Sequence, residues 1–212
     1  MSFVEAWKCG GFIMWVLLGM SVAMLSMIIY MACVMRTGAI APKRLVDDAI
    51  DAVAGGDFAS ARRICEMRNC AFASVALAGL DSIRSTGEKP VPSAVADAVA
   101  SEGGRIADSM QLQAQLLLDA SAIAPMIGLL GTTLGMLTAF GSVASNAVAA
   151  AKPVMLAQGV SQAIITTIFG LIVAIPCLFF YALFRRRATR LAGVLERAAS
   201  GFVAAITTRS AE

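Results

Sequence analysis

The chain has 212 residues, 58% of them hydrophobic and only 15% charged, with a formal net charge of +3 and no histidine. Such an apolar excess lies outside the range of soluble domains and points to a protein that lives in a bilayer. The lack of histidine excludes His-ligated metal sites, Ser–His and Cys–His nucleophile pairs and imidazole proton relays, and no nucleic-acid partner is predicted.

The first element is residues 9–35, an uncharged run between Lys8 and Arg36 that is long enough to span. Its flanks hold Glu5 as well as Lys8, it far exceeds a signal-peptide core, and no small-x-small cleavage site follows it. Residues 1–35 are therefore expected to be an external N-terminus and a retained first span. Cys33 has a weak likeness to a lipid-attachment site, which Tyr30 fits poorly. Trp7 and Trp15 toward one interface, with Tyr30 and Tyr181 toward the other, suit an aromatic belt.

Residues 36–119 read as short helices with clear punctuation. Leu45, Val46, Ile50 and Val53 mark one amphipathic piece, ended by Gly55 and Gly56. Asp57 is placed to cap the next, with Phe58, Ala61, Ile64 and Cys65 on one face and Arg62 and Arg63 on the other. A third run covers about 70–85 and carries Phe72, Val75, Leu80 and Ile83. Residues 87–92 form a loop by composition. Ser93 is expected to cap a long helix that includes Ile106, Met110 and Leu116 and runs unbroken into the second span. This region reads as a solvated helical domain with no catalytic set. Cys65 and Cys70 lack the companions of a metal or redox site, and Cys9, Cys33 and Cys177 add no disulfide framework. No cofactor and no metal are predicted.

Residues 120–151 and 153–184 contain no Asp, Glu, Lys or Arg, and only Lys152 separates them. Each is about 48 Å long as helix, ample for a bilayer core of about 30 Å. In 120–151, Pro125 opens the apolar part, and Gly128, Gly131 and Gly135 share one face, with Thr132 beside them. Such a face lets helix backbones come close in lipid. In 152–184, Ala163, Thr167, Gly170 and Ala174 form a stripe, Gln162 and Thr166 lie on its adjoining edge, and Pro176 interrupts the ladder. The two spans are expected to pack on each other and on copies of themselves. A lone membrane threonine ordinarily folds its hydroxyl onto its own helix at i−4. The amide of Gln162 is harder to satisfy that way. The cluster as a whole suggests a polar, partly hydrated interface.

Charge placement supplies the orientation. Residues 36–119 are net −2, whereas the basic C-terminal segment 185–212 is net +4. Arg36, Lys43 and Arg44 follow the first span, and Arg185, Arg186, Arg187 and Arg190 follow the third. By the positive-inside rule both ends are cytoplasmic, the N-terminus is outside and the link near Lys152 is outside. The expected fold is all-α, with three transmembrane helices and a helical cytoplasmic loop domain.

Ile123 to Phe140 (IAPMIGLLGTTLGMLTAF) and Gly159 to Pro176 (GVSQAIITTIFGLIVAIP), continued by Tyr181 and Arg185, resemble the second- and third-span signatures of the ExbB/TolQ/MotA proton-channel family. The order and separation also agree, and the layout of one span, long loop and two spans is closest to ExbB and TolQ. Gly56 to Cys65 is similar to a loop helix of ExbB-like chains. The resemblance implies a non-enzymatic subunit of a bacterial inner-membrane motor driven by proton-motive force. In that family a pentamer surrounds a dimer of a single-span ExbD- or TolR-like partner, which carries an essential aspartate and passes movement to a TonB- or TolA-like protein. Thr132 and Thr167 match pore-lining threonines, with Thr166 and Gln162 beside them on the implied ion pathway. Pro125, Gly128, Gly131, Gly170 and Pro176 match structural positions. One departure stands out: Gln162 occupies a position that is generally glutamate. The rival reading is a passive helical membrane scaffold for an envelope or secretion complex.

Overall fold

A computed structural model describes residues 11–86, 91–144 and 152–210. Among these described residues seven helices follow in order: α1 Gly11–Val34, α2 Thr37–Ile40, α3 Lys43–Ala54, α4 Phe58–Glu66, α5 Ala71–Thr86, α6 Pro92–Ala144 and α7 Lys152–Ser210. There is no strand among the described residues, and three helices, α1, α6 and α7, are long and apolar enough to cross a membrane. The chain is an all-α, multi-pass membrane protein. The expected link between the second and third spans falls largely on 145–151, and the expected loop of 87–92 largely on 87–90, all outside the described residues; Pro92, placed at the end of that loop, instead opens α6.

The chain divides into two units. One takes α1 up to Tyr30 together with Ala114–Leu183. The other takes Met31–Gln113 together with Phe184 onward.

The loop-bearing unit packs amphipathic helices around a core of large side chains. Leu45, Ala49 and Val53 recur at i, i+4 and i+8 and are buried, while Asp47, Asp48 and Asp51 stay exposed. Gly56 closes the turn after α3 with φ +84°, a left-handed conformation that disfavours a side chain. The Arg209 guanidinium covers it, its Nε 3.3 Å from where a Cβ would stand. Asp57 caps α4 as its sequence suggests: Oδ1 accepts the Ser60 N–H at 2.9 Å. The Ser60 hydroxyl, donating to the other oxygen, is the main cause holding the Asp57 carboxyl below its usual range. Arg62 then ties α4 to α5, donating to Asp81 at 2.6 Å as well as to Glu66 at 2.8 Å. Beneath it Cys65 is buried, and burial pushes its thiol up to about 11, so it is inert packing. The core is made of large side chains: Phe72 meets Phe202 edge-on at 6.0 Å, and Val95, Val99, Leu191, Leu195 and Ile206 are buried with them.

One local expectation changes. The long helix begins at Pro92, where a missing N–H costs nothing, so Ser93 lies inside the first turn instead of capping it. Pro125 and Pro176 both sit within continuous helices, in keeping with the unbroken run expected from the loop domain into the second span. Each removes one ladder hydrogen bond, a loss that membrane helices tolerate where neighbouring groups re-satisfy the carbonyl.

Candidate functional site

The membrane-spanning unit is organised around one seam between α6 and α7. Every third or fourth residue of α6, from Ala124 through Gly128, Gly131 and Gly135 to Ala139, is buried. The facing stripe of α7 is Gly159, Ala163, Thr166, Gly170 and Ala174, also buried. A Cβ on Gly128 would stand 3.0 Å from the Thr166 carbonyl oxygen and 3.1 Å from the Thr167 Cα. On Gly135 it would meet the Gly159 carbonyl oxygen at 3.1 Å, and on Gly170 the Ala124 carbonyl oxygen at 2.8 Å. A Cβ on Gly159 would collide with that of Ala139. The helices thus meet backbone to backbone. Van der Waals contact replaces the hydrophobic effect, which does not operate between helices in lipid.

That register decides where each predicted residue goes. Thr166, expected on the margin, is instead at the centre of the seam and only 1% exposed. The reason is Gly131 opposite it: a Cβ there would lie 2.5 Å from the Thr166 hydroxyl oxygen, so the glycine makes the room that the branched side chain fills. Thr166 donates to the Ala163 carbonyl at 2.8 Å, with the Gln162 carbonyl at 3.3 Å, and so spends its proton on its own helix. Thr132 and Thr133 do likewise, donating to Leu129 and Leu130 at 2.7 and 2.8 Å. Thr167 departs from this pattern. Half-buried at the edge of the seam, it reaches across to the Gly128 carbonyl at 3.5 Å, the outer limit of a hydrogen bond.

Gln162 does not join the seam through its amide. Its Nε2 stands 3.1 Å from where a Cβ of Gly11 would be, against the first described residue of α1. Thr132 and Pro125 are half-buried beside the seam, and Pro176 is exposed on another face. Three packing positions, Ala124, Ala139 and Gly159, were not singled out from sequence. Their spacing of three or four from the glycines and from Ala163 is the signal that marks them.

One further consequence concerns assembly. The small-residue faces of both spans are consumed by each other within a single chain. The surfaces left open carry large side chains instead: Leu129, Leu130 and Leu137 on α6, and Ile164, Ile168, Ile172 and Phe179 on α7. Among the described residues no group of three or more His, Cys, Asp or Glu could hold a metal ion.

The profile of the MotA/TolQ/ExbB proton channel family matches residues 68–197, which takes in the seam, all of α6 and α7 as far as Arg197. The chain belongs to that family. It is also 40% identical over 63 residues to a Synechocystis sp. protein named as an ExbB-like 3 biopolymer transport protein. The stretch covers 30% of each chain, so the match spans about a third of that relative's length.

Proposed function

We propose that the chain is the multi-span subunit of an ExbB/TolQ-like motor in a bacterial inner membrane. It rings a single-span ExbD/TolR-like partner as a homo-oligomer, in the family manner a pentamer, and energises a TonB/TolA-like protein. Its N-terminus is outside and its basic C-terminal end cytoplasmic. The observation that carries this reading is the family match over the whole α6–α7 seam, where one hydroxyl, that of Thr167, is not committed to its own helix.

Residues 120–151 and 153–184 lack any ionisable carboxylate, so the protonatable group at mid-membrane is the partner's aspartate. In this mechanism it is protonated from outside and deprotonated toward the cytoplasm. Thr167 and Thr132 offer hydroxyl oxygens to water or to the neutral acid, while Thr166 and Gln162 hold the surrounding helices in place. Each elementary charge crossing 100 mV releases about 2.3 kcal/mol, several times thermal energy, so one or two protons suffice for a step.

Thr167→Val keeps the shape and removes the hydroxyl. It is expected to abolish proton-motive-force-dependent activity while native mass measurement shows an unchanged oligomer. Wild-type activity in that variant would end the ion-path assignment. Insensitivity of the wild-type phenotype to a protonophore would favour the passive scaffold.

A further inference from the structure

Asp119 is the last charged residue before the apolar stretch of α6, and by sequence it sits at the edge of the span. The packing on α7 moves it inward. Gly170 lies against the Ala124 carbonyl and Gly128 against Thr166 and Thr167, so a step back along α6 is matched by a step forward along α7. Asp119, five residues before Ala124, is therefore level with Ile175 and Pro176. From Pro176, α7 runs nine more residues, about 14 Å at roughly 1.5 Å each, before Arg185 supplies its first charge. Everything between, Cys177 to Phe184, is apolar or aromatic, and Leu178, Phe179 and Leu183 are exposed there.

Asp119 is thus a carboxylate at a depth where the neighbouring helix presents side chains suited to acyl chains. It is exposed, on the face of α6 opposite the buried Leu117, Ala120, Ala124 and Gly128. Gln115, one turn below, and Thr133, nearly four turns above, are exposed on the same face. Among the described residues no ion pair reaches Asp119. Among the described residues of its unit there is no other Asp or Glu, no Arg and a single Lys, Lys152, at the far end of α7. Tyr30, Tyr181 and Cys177 complete the titratable groups. Hydrocarbon provides neither hydrogen bonds nor counter-charge for a carboxylate and an amide side by side.

We propose that this face of α6 lines a water-filled vestibule open to the cytoplasm, and that Asp119 is the proton-accepting group within it. The Asp119 carboxylate takes up the proton that the partner's acid loses, then gives it to vestibule water and is ionised again. The assignment rests on the motor reading for its direction and its proton donor, but the wet face can be tested without either.

In the full-length chain with its five native cysteines replaced, inside-out membrane vesicles are treated with a membrane-impermeant maleimide. The Asp119→Cys thiol is expected to react at least about tenfold faster than the Leu178→Cys thiol, because access governs the rate. Equal rates would overturn the vestibule. In the native host, with its own partner present, Asp119→Asn is expected to slow cytoplasmic acidification after an external acid step by at least about tenfold, with Asp119→Glu restoring it. An unchanged rate in Asp119→Asn would overturn the proton-accepting role even if the thiol labels fast. If Thr167→Val also acidifies at the wild-type rate, the motor reading fails, and the labelling result still decides the vestibule on its own.

Discussion

The long helices α6 and α7 contribute to both units, yet they bury different residues in each. In the membrane-spanning unit α6 buries Gly128, Gly131 and Gly135, and α7 buries Gly159, Ala163, Thr166 and Gly170. In the loop-bearing unit the same helices bury Val95, Val99 and Met110, then Leu191, Leu195, Phe202 and Ile206. The change follows the solvent. Where water surrounds the fold, apolar area removed from it is the driving force, and large side chains supply the most. Where lipid surrounds it, side-chain area gains nothing over the acyl chains it displaces, and close backbone approach is what remains.

This contrast makes opposite demands on volume, and substitutions that invert it should break it. The largest effect is expected from Gly131→Leu, which drives a branched side chain into Thr166 across the seam. It should prevent the helix pair from closing, seen as rapid proteolysis and loss of the folded protein in detergent. A stable, protease-resistant product would disprove the seam. Next comes Phe202→Ala, which empties the partner of Phe72 and should cost about 3–5 kcal/mol in a denaturant or thermal titration. Smaller still is Gly170→Ala, which puts a methyl group 2.8 Å from the Ala124 carbonyl oxygen. It should destabilise by about 1–3 kcal/mol. Gly141→Ala, with nothing within 4 Å of the added methyl, should do no harm. Equal effects for the two alanines would mean that position on the helix, rather than proximity to α7, sets the cost. The mildest is Gln162→Glu. The amide already lies against the start of α1, where helix N–H groups favour negative charge, so native mass measurement should find an intact oligomer.

The architecture was legible because its signals are strong. Two uncharged runs with a small residue every three or four positions, and a capping Asp57 after a Gly-Gly turn, leave few alternatives for the helices around them. The seam was legible as a pair of small-residue faces, but its register was not. Periodicity ranks Thr166 and Thr167 as neighbours on adjacent edges and is silent on which of them meets a glycine. Only the meeting with Gly131 puts Thr166 in the centre and leaves Thr167 free to cross. The same limitation hid Asp119. Its sequence neighbours mark the end of a charge-free run, whereas its depth is a property of the helix it packs beside.

The glycine-lined contact leaves the protomer almost no letters to vary along its internal joint, since nearly every replacement there adds atoms where none fit. Diversification is left to the outward ridges of Leu129, Leu137, Ile164 and Ile168. In the assembly proposed above, rewriting those ridges alone would keep the subunits of several motors in one cell from mixing, and the folding of each subunit is untouched.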